Sequence, residues 1–251
     1  MSAPRTATPL LRALLISGDP ATTAQLAYSM DQFAIHTEVC TDLVVATRLL
    51  NRRKFNAVVL DLGLGGKAQE LLERIRFSPS NETAVTFVVA ERGQAKTNLQ
   101  SRPNFIIEKP LSPALVSRTL KAAFGLIVRE CRRYFRCPLV VDAEIENKGS
   151  ADMRCQTVNV SEGGIALMAP SPLTPGTQVK VCFALPGEKI HFNVESEVCW
   201  CDEKQRAGLQ FLALASEQQV ALQQWLSARL EQSLPESVAR QFEVTQADVL
   251  D

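Results

Sequence analysis

Arg132-Arg133-Tyr134-Phe135-Arg136 and, further on, Asn159-Val160-Ser161-Glu162-Gly163-Gly164 are the two stretches on which the reading of this chain turns. The first sets two guanidinium groups, Arg132 and Arg136, four residues apart. A guanidinium is a planar fork of donors that grips a phosphate bidentately and stacks on a flat ring. The second supplies an amide and a hydroxyl beside a turn, with glycines that let backbone approach a ligand closely. Together they suit a ligand that is both anionic and aromatic, such as a nucleotide.

Outward from these stretches the pattern is one of short strands. Leu139 to Ile145, Arg154 to Val160, Gly164 to Met168, Val179 to Leu185, Ile190 to Val198 and Ala207 to Leu212 are each compact and rich in apolar residues. Turn signals separate them at Asn147-Lys148-Gly149, Pro175-Gly176 and Pro186-Gly187. Six such strands suggest a small closed antiparallel barrel, which leaves no exposed edge. Ser216 to Leu230 reads as a terminal helix with an apolar face of Val220, Leu222, Trp225, Leu226 and Leu230, packed on the barrel. On the motif pair and this strand pattern, the region from about Arg129 to Glu231 resembles the PilZ family, bacterial receptor domains for cyclic di-GMP. The family pattern is RxxxR followed by (D/N)xSxxG, here Arg132 and Arg136, then Asn159, Ser161 and Gly164.

The N-terminal half has a different texture. Apolar strands at Leu11–Ser17, Thr37–Cys40, Ala57–Leu62, Ala84–Ala90 and Phe105–Glu108 alternate with helical segments. Those segments are Ala21–Phe33, Leu43–Arg53, Ala68–Ile75, a weak one over Gly93–Gln100, and a long one opened by Ser112-Pro113. Serine as N-cap with proline at the first helical position is a start signal. Five βα units in this order imply an open parallel sheet. The region from Leu10 to Ile127 resembles the response-regulator receiver domain, a flavodoxin-like fold. The resemblance rests on Val58-Val59-Leu60-Asp61, on Glu108-Lys109-Pro110 and on Leu15-Ile16-Ser17-Gly18-Asp19-Pro20. By that resemblance Asp61 stands where receivers carry the phospho-acceptor, and Lys109 where they carry the paired lysine.

The departures are specific. Receivers bind Mg²⁺ with two adjacent acids after the first strand, where this chain has Ser17 and Gly18, and Asp19 comes one position late. Mg²⁺ demands oxygen ligands in tight octahedral geometry, normally with carboxylates to supply charge. Val89 replaces the hydroxyl residue after the fourth strand, and Ile106 the aromatic before Lys-Pro. Asp61, Lys109 and Asp19 are thus expected to form a vestigial site in a pseudo-receiver.

With 251 residues, 46% hydrophobic and 22% charged, the chain has room for two globular domains. The expected division is a leader at 1–9, the receiver-like domain at 10–127, a linker carrying RxxxR at 128–138, the barrel at 139–232 and a tail at 233–251. Lys+Arg and Asp+Glu both number 27, so there is no bulk basic charge to attract nucleic acid. No apolar run is long enough for a membrane span and no signal core is visible, which makes cytoplasm the default expectation. The seven cysteines lack CxxC spacing, and Cys199 and Cys201 read as ordinary strand residues. No nucleophile–base–acid set occurs in the barrel half, so neither an enzyme nor a cofactor is expected.

The PilZ resemblance implies that Arg132 and Arg136 grip phosphate and guanine edges, that Asn159 and Ser161 hydrogen-bond guanine, and that Gly164 keeps the turn open. Arg133 would be an auxiliary cation. Tyr134 or Phe135 either stacks on a base or packs on the barrel. A different reading makes Arg129, Arg132, Arg133 and Arg136 the solvated end of a helix, favoured there by the helix dipole. The function implied is a cyclic di-GMP effector whose ligand-ordered linker changes domain arrangement and partner binding, with the receiver-like domain as a docking or dimerisation platform. The protein partner is unknown, and a homodimer stays open. The rivals are a response regulator phosphorylated on Asp61 with the barrel as output, and an interaction scaffold that binds no ligand.

Overall fold

A computed structural model describes residues 10–93, 102–146 and 152–234. These fall into two compact units, one running to Cys131 and including Leu234, the other spanning Arg132–Ser233. The expected leader at 1–9, most of the weak helix at Gly93–Gln100, the Asn147-Lys148-Gly149 turn and nearly all of the tail lie outside the described residues.

The first unit carries five parallel strands: β1 (Leu11–Ile16), β2 (Ile35–Cys40), β3 (Ala57–Asp61), β4 (Val85–Ala90) and β5 (Phe105–Glu108), in the spatial order β2-β1-β3-β4-β5. β3 and β4 are buried along their whole length, which is why their sequences are continuous apolar runs rather than alternating ones. β2 lies at the edge and is half polar. Its Glu38 pairs with Arg12 of β1 and with Arg53. The helices are α1 (Pro20–Asp31), α2 (Leu43–Arg52), α3 (Lys67–Arg76) and α4 (Pro113–Tyr134), and a single 3₁₀ turn, Leu62–Leu64, follows β3.

Helix starts are specified by side-chain caps that satisfy otherwise orphaned N–H groups. Asp19 caps α1, Asp42 caps α2, and Ser112 Oγ accepts from Leu115 N at the start of α4. Asn81, fully buried, accepts from Phe55 N and donates to the carbonyls of Leu50 and Arg53, so one amide saturates the backbone of the α2–β3 connection. α4 buries Val116, Leu120, Ala123, Phe124, Ile127 and Val128, spaced at three and four residues along one face. Buried beside them is Glu130, satisfied by Lys54 and by Thr83 Oγ1 at 2.6 Å.

The second unit is a closed antiparallel barrel. Its strands are β7 (Asp142–Glu146), β8 (Met153–Ser161), β9 (Gly164–Met168), β10 (Gln178–Ala184), β11 (His191–Cys201) and β12 (Arg206–Ala213). The ring runs β8-β7-β10-β11-β12-β9 and closes through β8–β9. A two-residue strand, β6 (Cys137–Pro138), pairs with β8 outside the ring. The sequence places the first barrel strand from Leu139, whereas regular pairing resumes only at Asp142. Between Pro138 and Asp142 the chain stays tied to β8 by Leu139 N to Val158 O and Thr157 N to Val141 O, with the Thr157 hydroxyl donating to Leu139 O and accepting from Val141 N. The turns at Gly176 and Gly187 adopt φ of 83° and 87°, the left-handed region that glycine enters without strain.

Inside the barrel Phe183 stacks on Phe192 at 4.9 Å between centroids. The helix α5 (Ser216–Gln232) buries Ala221, Leu222, Trp225, Leu226 and Leu230, with Trp225 Nε1 donating to Pro186 O. Val220, expected on that face, is 52% exposed. At about 100° per residue it points away from the arc of Leu222, Trp225 and Leu226.

Candidate functional site

The arginine-bearing stretch changes conformation midway. Arg132, Arg133 and Tyr134 end α4, whereas Arg136 follows the helix and directly precedes β6. β6 then lies antiparallel to β8, with Cys137 opposite Val160 and Pro138 opposite Asn159. That register carries the backbone of Arg136 to the level of Ser161. The two motifs, distant in sequence, are therefore hydrogen-bonded neighbours in the fold.

Arg132 contacts the turn itself. Its Nε lies 3.3 Å from Glu162 Oε1, and its Nη1 donates to Ser227 Oγ of α5 at 3.0 Å. Arg136 is exposed and makes no hydrogen bond or ion pair among the described residues. Ser161 is buried and donates to Gly164 O at 3.1 Å, so its hydroxyl stabilises the β8–β9 turn. The side chain of Asn159 has its Oδ1 buried with no hydrogen-bond partner among the described residues. Leaving a buried acceptor unpaired costs about 1–3 kcal/mol.

Gly164 has a packing reason to be glycine. A Cβ built there would stand 2.3 Å from the carbonyl oxygen of Leu209 on the adjacent β12. Its neighbour Gly163 faces open space.

A cavity of about 340 Å³ opens beside the turn. Arg133 and Tyr134 from the end of α4, Glu162 and Gly163 from the β8–β9 turn, and Gln219, Leu222 and Gln223 of α5 all line it. Its size falls within the ~300–1,000 Å³ usual for small-molecule sites. Glu162, Gln219 and Gln223 were not singled out from sequence. The (D/N)xSxxG pattern treats Glu162 as a spacer, and nothing in the sequence says which face of α5 meets the arginines.

In the first unit, Asp61 is 2% exposed at the end of β3. Its Oδ2 accepts from Ser17 Oγ at 2.8 Å and from Lys109 Nζ at 3.1 Å, and its Oδ1 from Gly63 N at 2.9 Å. Asp19 is committed elsewhere. Its carboxylate accepts from Thr22 Oγ1 at 2.6 Å and from the N–H groups of Ala21 and Thr22 at the start of α1. The hydroxyl of Thr22 above all, then the Ala21 amide, hold its pKa below the usual aspartate value. Among the described residues no group of three or more His, Cys, Asp or Glu is placed to hold a metal ion. A Mg²⁺ ion does not fit here, because a hydroxyl and an ammonium already occupy the Asp61 oxygen where a receiver's metal would need free carboxylates. Val89 lies opposite Asp61 in the β3–β4 register, buried and without a hydroxyl.

All seven cysteines are free. No helix of the described residues is long and apolar enough to cross a membrane.

The family model described as PilZ domain matches residues 130–228. No curated protein matches the chain. Among solved structures, the receiver domain of a sensor histidine kinase from Pseudomonas aeruginosa is similar at 19% identity, over 46% of this chain and 98% of that one, with a TM-score of 0.40. The PilZ domain of CeSA from a cellulose-synthesizing bacterium is similar at 21% identity, over 38% and 96%, with a TM-score of 0.31. The inhibitor of motility from Bacillus subtilis is similar at 26% identity, over 39% and 50%, with a TM-score of 0.32.

Proposed function

We propose that this protein is a cyclic di-GMP effector: the PilZ-like unit takes up the dinucleotide, and the receiver-like unit serves protein contact rather than phosphotransfer. The observation that carries the reading is the β6–β8 pairing, which holds the arginine stretch against the Asn159–Gly164 turn beside a cavity. Arg136, exposed and unengaged, is the cation ready to take a phosphate, and Arg133 stands at the cavity wall. Arg132 joins once it exchanges Glu162 for the ligand. Asn159 Oδ1, buried and unpaired, is an acceptor that a base N–H would satisfy once the side chain turns outward. Guanidinium groups bind such a ligand by fork contacts to phosphate oxygens and by stacking on the purine.

Output follows from where the arginines sit in the chain. They lie on the segment that joins the two units, so engaging them with a dinucleotide biases that segment toward one conformation. A protein partner then reads the altered surface. The receiver-like unit contributes a stable parallel-sheet body whose Asp61 is closed by Ser17 and Lys109.

Calorimetric titration of the full chain with cyclic di-GMP tests the reading. Binding at micromolar affinity or tighter, weakened about ten-fold or more by Arg136→Ala, is expected. No heat at large ligand excess, with the protein folded by circular dichroism, would overturn it. Scattering from the same samples tests the output step, through a ligand-dependent change in the radius of gyration.

A further inference from the structure

The stripe Gln219, Gln223 and Ser227 on α5 points one way, each residue one helical turn from the next. Its first two members line the same cavity as Arg133 and Tyr134. Its third is already hydrogen-bonded to the guanidinium of Arg132 at 3.0 Å. Two independent observations, a shared cavity and a direct bond, thus put this face of the terminal helix against the arginine stretch. Gln219 is exposed and Gln223 half-buried, and neither side-chain amide makes a hydrogen bond among the described residues.

Resting on the dinucleotide reading above, we infer that Gln219 and Gln223 form a third wall of the ligand site, in which their amides read a purine edge. A glutamine amide presents one acceptor and two donors at fixed spacing. Guanine presents a matching edge, with O6 as acceptor beside the N1–H and N2–H donors. Arg133 and Tyr134, which line the same cavity, offer a flat guanidinium and a ring 46% exposed, either of which presents a face on which a planar base can stack. Leu222, from the same helix, is buried and adds an apolar surface to the lining. Phosphate is left to the arginines. Base identity is read in part by a helix that neither sequence motif touches, because polar groups that go unpaired against the wrong base penalise it.

The test compares Gln219→Ala, Gln223→Ala and Arg136→Ala in the full chain, titrated with cyclic di-GMP and with cyclic di-AMP. Each glutamine substitution is expected to weaken cyclic di-GMP binding about five-fold or more, the size of one lost hydrogen bond. The preference for the guanine dinucleotide should narrow with it, while the melting temperature stays unchanged. Arg136→Ala should weaken both dinucleotides and leave their ratio unchanged. If the unsubstituted chain binds cyclic di-GMP and both glutamine variants keep its affinity and preference, the third wall is wrong and the receptor reading stands. If the unsubstituted chain binds neither dinucleotide, both fail together.

Discussion

Arg132 Nε and Glu162 Oε1 stand 3.3 Å apart, so the second motif supplies an anion to the first before any ligand arrives. Both side chains are partly exposed, at 37% and 23%. An ion pair so placed is worth about 0.2–1 kcal/mol. A phosphate competing for Arg132 must overcome that amount, and Glu162 must move aside. Glu162→Gln is therefore expected to tighten cyclic di-GMP binding, by up to about five-fold. Its affinity should also fall more steeply with salt, since Arg132 then meets the phosphate without a prior partner. Titrations at two salt concentrations decide it. A weaker variant would show instead that Glu162 accepts a hydrogen bond from the ligand.

Gly164 and Gly163 are adjacent, yet substitution should separate them sharply. A Cβ at Gly164 meets the backbone oxygen of Leu209 at 2.3 Å, and backbone in a paired strand yields only by parting β9 from β12. Gly164→Ala should cost about 1–3 kcal/mol or more, the range for overpacking. Gly163→Ala, facing open space, should stay within about 0.5 kcal/mol of the parent. Urea denaturation of both variants measures the contrast. Equal stability would mean that β9 shifts freely, and loss of ligand binding in Gly164→Ala could then be assigned to the site rather than to the fold.

The sequence carried the two-unit architecture because burial on both faces leaves an unmistakable trace. β3 and β4 are apolar at nearly every position, and no helix or half-exposed strand requires that. The barrel was legible for a different reason: turn residues recur between short segments, and Gly176 and Gly187 adopt the positive φ those signals imply. Fine placement was less legible. The sequence puts Arg132 and Arg136 on a linker at 128–138, whereas α4 runs on to Tyr134, so Arg132 is helical and Arg136 is not. Glu162 was unreadable as a partner because its pairing depends on how the turn packs against the end of α4. Gln219 and Gln223 lie off the apolar face read for α5, and only its packing shows that they line a cavity. Ser17 was legible as a missing acid but not as the donor that closes Asp61.

That closure makes a prediction for the first unit. Asp61 is buried, and its oxygens are engaged by Ser17, Lys109 and Gly63. In-line attack on a phosphodonor needs a free carboxylate oxygen and a metal to offset developing charge. Incubation with acetyl phosphate and Mg²⁺ should leave the intact mass unchanged, and an adduct abolished by Asp61→Asn would overturn the closed-site reading. Lys109→Met should be costly for stability, because it strands a carboxylate that is 2% exposed. Removing one partner of a buried pair typically costs about 3–5 kcal/mol, and the surviving bonds from Ser17 and Gly63 put this case at the lower end. Thermal denaturation with and without the substitution gives the figure.

Asp19 supplies a pH signature for the same unit. Its pKa is lowered chiefly by the Thr22 hydroxyl and then by the Ala21 amide, with burial opposing. A carboxylate whose folded pKa lies below its unfolded value adds stability that is full above the unfolded value. That stability is lost as pH falls through the lower folded one. The loss should therefore appear below pH about 4, where an unperturbed aspartate titrates. Asp19→Asn keeps a side-chain acceptor at the start of α1 but cannot ionise. The gap in denaturation midpoint between parent and Asp19→Asn should be constant from neutral pH down to that point and shrink beneath it. A gap that widens on acidification would mean that the proton binds Asp19 more tightly in the folded chain, and that the cap at Thr22 and Ala21 does not hold the charged form.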